Sequence, residues 1–172
     1  NLSDLAGKGA RPLGYLVALA LPRDTDANWL RRFAVGLRQD QAEFGLSLLG
    51  GDTTPTPGPA TIAITAIGEA LPGKPLVRAG ARIGDAVYVT GTIGDAALGL
   101  LVHRGKLRAL APRHRRFLAR RYHLPQPRLI VGRGIGRLAH ASMDVSDGLV
   151  ADLGHICAAS GCGAEIELAA IP

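Results

Sequence analysis

Cysteine is scarce in this chain: Cys157 and Cys162 are the only two, five residues apart. A C-x-x-C redox pair, a zinc half-site or a disulfide scaffold would need another spacing or more thiols, so two reduced cysteines are expected. Aromatic residues make up 4%, too few to build the stacking platforms that bind single-stranded nucleic acid. No apolar run approaches the ~20 residues of a membrane-spanning helix. No basic segment leads into an apolar one at the start, so nothing supports secretion and a cytoplasmic location is expected. The 23 glycines show no triplet period, which excludes a collagen-like chain. There is no Gly-Lys-Ser/Thr of a P-loop, no Gly-x-Ser-x-Gly elbow and no His-Glu-x-x-His pair.

What is present suits a globular protein that buries a real core: 172 residues, 47% hydrophobic and 20% charged. The net charge of +6 comes from 20 Lys and Arg against 14 Asp and Glu. The basic excess gathers between Arg104 and Arg137, above all in Arg113-His114-Arg115-Arg116 and Arg120-Arg121. With few aromatics and no nucleic-acid signature, this predicts a solvated helix face, with phosphate-ligand steering as the functional alternative and neither nucleic acid nor membrane as a partner.

The periodicity predicts a mixed α/β protein. A strand is expected over 13–21, then a helix capped by Asp26 and closed by Gly45, with Trp29, Phe33, Leu37 and Phe44 along its apolar stripe. A short strand over 46–49 runs into Gly50-Gly51-Asp52, and a Thr/Ile-rich strand covers 60–70. The Pro/Gly-rich stretch 71–84 reads as a joint between domains. Beyond it, strands are expected over 86–90, 143–145 and 164–168, and helices over 94–104, 113–123, 128–140 and 148–160. Gly91, Gly94 and Gly99 lie at a strand-to-helix turn but do not have the dinucleotide-binding spacing. His155 reads as a half-buried helix histidine.

The acidic residues carry the chemistry. Asp4 stands in Asn1-Leu2-Ser3-Asp4, Asp52 in Gly50-Gly51-Asp52-Thr53-Thr54, and Asp144 and Asp147 in Asp144-Val145-Ser146-Asp147-Gly148. Carboxylate and hydroxyl oxygens are hard ligands that suit magnesium held jointly with substrate phosphates. Glycines beside Asp52 let a phosphate approach the backbone, and Ser146 and Gly148 precede a helix whose positive end favours anions. Taken singly, Asp4 reads equally as a helix cap, Gly-Gly-Asp-Thr-Thr as a turn, and the third segment as a strand-to-helix connection. Together they point to a phosphate-and-magnesium site.

In order along the chain, NLSDLA, LLGGDTT, VRAGARIGDAVYVTGTIGDAALGL, RYHLPQPR and MDVSDGLVADLGHICAASGCGAEIEL resemble the thiamine-monophosphate kinase family. Within its wider superfamily, the pairing of Gly-Gly-Asp-Thr-Thr with Asp-x-Ser-Asp-Gly-Leu separates this family from aminoimidazole ribonucleotide and selenophosphate synthetases. The resemblance implies ATP- and magnesium-dependent phosphorylation of thiamine monophosphate to thiamine diphosphate, by direct transfer onto the substrate phosphate. It implies Asp4, Asp52, Asp144 and Asp147 as magnesium ligands, and Gly51, Asp52, Arg78 and Ser146 as ATP contacts. It also implies an α/β (α+β), two-domain synthetase-like fold, with residues 1–70 the rear part of an N-terminal ATP-binding and dimerisation domain and 71–172 the first part of a C-terminal domain. The full-length enzyme is expected to be a homodimer. Ala34 departs from the family, where an aromatic near the nucleotide is frequent.

The family's upstream Gly-Asp-Asp and Ser-Thr-Asp motifs and its downstream Gly-Gly-Glu-Asp-Tyr motif do not occur in these 172 residues. The fold is therefore expected to be incomplete at both ends, the thiamine contacts to lie elsewhere, and the isolated piece to turn over little. Two other functions fit the same residues: a non-catalytic nucleotide-binding module, and another phosphoryl-transfer enzyme such as a selenophosphate synthetase.

Overall fold

The computed structural model describes residues 1–70, 72 and 75–172; residues 71, 73 and 74 of the expected joint lie outside the described residues. Compact packing divides the chain into two units, Asn1–Pro75 with Leu129–Gly136, and Leu76–Arg128 with Arg137–Pro172.

The first unit is built on a three-stranded sheet of order β2-β1-β3, with β1 Arg11–Leu21, β2 Ser47–Pro55 and β3 Thr61–Glu69. β1 pairs parallel with β2 and antiparallel with β3. A parallel neighbour needs a crossover, which is supplied by helix α2, Ala27–Phe44. The expected caps hold it. Asp26 adopts an extended conformation and its Oδ1 accepts from the Asn28 N–H at 2.9 Å. Gly45, at φ 66°, takes the left-handed conformation that releases the chain toward β2. The predicted stripe packs as expected: Phe33, Leu37 and Phe44 rest on buried Tyr15, Val17 and Leu46. Trp29 stacks on Phe33 at 5.4 Å.

Two short helices complete this unit. In α1, Leu2–Gly7, Leu2 reaches the same core. Helix α5, Leu129–Ile135, comes from the later half of the sequence and packs on α1. Their contact is backbone to backbone. Gly132 sits so close to Ala6 that a Cβ would occupy the place of the Ala6 carbonyl oxygen. The helix predicted over 128–140 is correspondingly shorter, because glycines at 132, 134 and 136 weaken helical propensity and the chain leaves the helix in turns after Ile135.

In the second unit, α3 (Asp95–His103) packs on α4 (Pro112–His123), with Gly99 pressed against the Leu118 carbonyl and Tyr122 Cβ. The expected glycine turn is present: Gly91 and Gly94 take φ of 81° and 92°, and the Thr92 hydroxyl donates to the Asp95 carboxylate. The basic face of α4 is mostly exposed, as read from the sequence, but half-buried Arg121 turns inward to pair with Asp95 at 3.2 Å. Helix α6, Leu149–Ser160, ends at left-handed Gly161. His155 on it is exposed, not half-buried.

The strands expected over 86–90, 143–145 and 164–168 do not form among the described residues; 168–170 is instead a single 3-10 turn. Apolar, β-branched sequence favours an extended chain, but a strand also needs a neighbour to complete its ladder. No described segment pairs with these three.

One hydrogen-bonded pair gives this unit a pH dependence. His140 Nδ1 lies 2.9 Å from both Asp85 carboxylate oxygens. That hydrogen bond, helped by the Arg82 N–H, holds the Asp85 carboxyl below its ordinary value. A carboxyl depressed on folding stabilises above its unfolded pKa of ~3.9 and loses that contribution as pH falls through the folded value. Melting curves of wild type and Asp85→Asn are therefore expected to differ near neutrality and to converge in strong acid; a constant offset across that range would contradict the pairing.

Candidate phosphate and metal site

Gly51 and Asp52 stand in the middle of β2, which continues through Pro55. The turn reading of Gly-Gly-Asp-Thr-Thr is thus corrected: the segment is strand, and Gly51 serves close approach to β1. β1 and β2 run in step from Gly14↔Ser47 to Tyr15↔Leu48, after which Leu16 pairs with Gly50 and Leu49 is left over as a bulge. Bulges re-aim the side chains that follow them and are frequent beside functional sites. Immediately after this one, a Cβ on Gly51 would collide with the Val17 carbonyl oxygen. Asp52 pairs opposite Ala18, is exposed, and accepts from the Thr53 N–H at 2.7 Å.

Asp4 lies in the first turn of α1, three residues past Asn1, which holds the cap position. It is exposed, while its neighbour Leu5 covers Gly68 of β3. Gly68 pairs with Pro12, whereas Asp52 pairs six residues further along β1.

In the second unit, Asp144, Ser146 and Asp147 share the loop that enters α6. Asp144 is half-buried and Asp147 exposed. The loop's shape comes from a residue that the sequence reading passed over. Asp152, on the first turn of α6 and only 2% exposed, accepts through Oδ2 from the N–H groups of Ser146 (2.9 Å), Asp147 (3.1 Å) and Gly148 (3.1 Å). Ser146 and Gly148 precede the helix end expected to favour an external anion. The three amides face the chain's own carboxylate instead, which leaves the Asp144 and Asp147 carboxylates and the Ser146 hydroxyl as the loop's groups for a ligand.

Arg78 is exposed on a strap fastened at several points. The Ser142 N–H donates to the Val77 carbonyl at 3.0 Å. The Ser160 hydroxyl, at the end of α6, accepts from the Gly80 and Ala81 N–H groups at 3.1 Å and donates to the Arg78 carbonyl at 3.4 Å. Gly80, at φ 121°, passes the His140 carbonyl where a Cβ would sit 2.7 Å from that oxygen.

Among the described residues, no three His, Cys, Asp or Glu side chains converge to cage a metal ion. Asp4, Gly51 and Asp52 belong to the first unit; Arg78, Asp144, Ser146 and Asp147 belong to the second. Within each unit the carboxylates are nevertheless of the kind that suits magnesium, which takes a few carboxylate oxygens together with water and phosphate rather than a closed protein cage. None of the four carboxylates is paired with a cation among the described residues.

This chain belongs to the AIR synthase related protein family: its N-terminal domain matches residues 1–70 and its C-terminal domain residues 82–172. Within that class, curated relatives 42–44% identical over the whole chain are thiamine-monophosphate kinases. The enzyme of Caulobacter vibrioides is 44% identical over the whole chain, which covers 48% of that protein. The crystal structure of thiamine-monophosphate kinase from Stenotrophomonas maltophilia K279a superposes with a TM-score of 0.85 at 41% identity, covering 94% of this chain and 51% of that one. AaThiL complexed with AMPPCP and TMP superposes at 0.86 with 33% identity, over 94% and 51%. The chain spans about half the length of the curated relatives it matches. No helix among the described residues is long and apolar enough to cross a membrane.

Proposed function

We propose that the protein containing this chain is an ATP-dependent kinase that phosphorylates thiamine monophosphate to thiamine diphosphate. One observation carries the reading: similarity to thiamine-monophosphate kinases runs through all 172 residues, and all three acidic segments lie within that span. The AaThiL relative, complexed with AMPPCP and TMP, supports a triphosphate and a thiamine phosphate as the substrates.

In this reading Asp4, Asp52, Asp144 and Asp147 hold magnesium, which when bound neutralises charge on the transferring phosphoryl group. Arg78 supplies a fixed guanidinium for the triphosphate, and the Ser146 hydroxyl a hydrogen bond. Gly51, whose missing Cβ makes room for the backbone of β1, is read as an ATP contact through its own backbone, beside Asp52. Phosphoryl transfer of this kind rests on positioning and charge, so the site needs no protein nucleophile. Residues 1–70 and 71–172 are read as parts of an N-terminal and a C-terminal domain. A homodimer is supported by apolar Leu16, Leu48 and Leu49, which remain exposed on β1 and β2; the free thiols of Cys157 and Cys162 support a cytoplasmic protein.

The test is an assay of the full-length protein with ATP, magnesium and thiamine monophosphate, with thiamine diphosphate separated and quantified. Stoichiometric thiamine diphosphate and ADP are expected. ADP without thiamine diphosphate, or product only when selenide replaces the thiamine phosphate, would defeat the proposal.

A further inference from the structure

We infer that Asp152 is the positioning residue of the magnesium-binding loop, fixing where Asp144 and Asp147 are presented. The inference rests on the kinase reading for what the loop holds, but not for how the loop is held. Asp152 is the most buried charged group among the described residues, at 2% exposure. An ionised carboxylate so placed is costly unless its oxygens are hydrogen-bonded. Here one oxygen takes three N–H donors, all from consecutive residues 146–148. Hydrogen bonds to an ionised acceptor are roughly twice as strong as neutral ones. The loop therefore cannot shift without uncovering a buried charge, and the charge cannot remain buried without the loop.

The arrangement explains two further features. Gly148 is the cap residue of α6 yet makes no side-chain cap, and it takes φ 131°. That conformation, uncommon for any residue with a Cβ, turns the chain so that its own N–H and the two before it point at one oxygen. The loop's amides thus bind an internal anion, and its side chains are left for an external cation. Asp152 touches neither substrate nor metal in this account; it acts through the backbone.

The test uses the full-length protein and two variants, Asp152→Ala and Asp152→Asn. Hydrogen exchange without metal or nucleotide is the first readout. In Asp152→Ala the amides of 146–148 are expected to exchange at least about tenfold faster than wild type, with those of 156–160 unchanged. Asp152→Asn keeps the shape but offers a neutral acceptor, so a smaller acceleration at the same three amides is expected. The second readout is the magnesium concentration giving half-maximal turnover, expected to rise by about 10- to 100-fold in Asp152→Ala, as for other residues that orient metal ligands. If Asp152→Ala does not fold, Asp152→Asn carries both readouts. Wild-type exchange at 146–148, or acceleration spread evenly over the whole protein, would overturn the inference. Exchange without metal also separates this proposal from the last one. Local acceleration in a protein that makes no thiamine diphosphate would uphold Asp152 and sink the kinase, and the converse result would do the opposite.

Discussion

Asp147→Ala in the full-length protein is expected to lower kcat by about 10²- to 10³-fold while leaving thermal stability almost unchanged. Asp147 is exposed, and among the described residues its carboxylate pairs with nothing. Its one structural contribution is a backbone N–H donated to Asp152, which alanine retains. Removing an exposed side chain of this kind changes stability by no more than about 0.5 kcal/mol. Charge that develops on three phosphoryl oxygens is compensated by metal ions and cations, so loss of one metal carboxylate falls on the transition state. Steady-state kinetics at saturating ATP, beside a melting curve, checks both halves. A loss below about fivefold would remove Asp147 from the site. A large loss with a collapsed melting temperature would mean that the side chain belongs to the fold instead.

Gly51→Ala is expected to fail for the opposite reason, through the scaffold. The added Cβ would be driven into the Val17 carbonyl oxygen, and would stand 2.7 Å from Val17 C and 3.0 Å from Val17 N. All three are backbone atoms, in a strand paired on both edges, so no rotamer change relieves the clash. Overpacking of this kind, with strain at φ 153°, is expected to cost about 3 kcal/mol. For a chain of this size that is roughly 6–12 °C in melting temperature, and Asp52 next along β2 loses its register. Gly36→Ala is the control. Gly36 lies within α2, and a Cβ there meets nothing within 4 Å, so the change is expected to be neutral or stabilising by up to about 1 kcal/mol. Wild-type melting of Gly51→Ala would contradict the β1–β2 pairing.

The parts of the fold legible in the sequence were those set by neighbours along the chain. Helix α2 announced both its ends because Asp26 acts over two residues and Gly45 over four. The basic run from Arg113 to Arg121 marked α4 locally as well. β2 was misjudged in extent because glycine signals a turn locally, while Gly50 and Gly51 answer to β1, more than thirty residues away. The strands expected over 86–90, 143–145 and 164–168 fail on the same point, since pairing is not a property of the segment that pairs. The acidic motifs were legible as hard-ligand chemistry, and their order matched a known family; spacing alone left turns and caps equally open. Asp152 went unnoticed because an aspartate in a first helical turn is ordinary. A signal was nonetheless present: it lies among Leu149, Val150 and Leu153, four residues past a glycine, where an apolar helix face would exclude a charge without partners nearby.

Helix α6 fastens different things at its two ends. Asp152 grips the loop of Asp144 and Asp147 near one end, and Ser160 grips the strap of Arg78 at the other. Eight residues separate them, about 12 Å of rigid rod. The helix is thus a gauge block: the spacing between guanidinium strap and carboxylate loop is written as a residue count. Exposed positions such as Val150 and His155 are free to change identity. Adding or deleting a single residue between the two grips would swing one of them about 100° around the axis, and no adjustment of side chains elsewhere would bring it back.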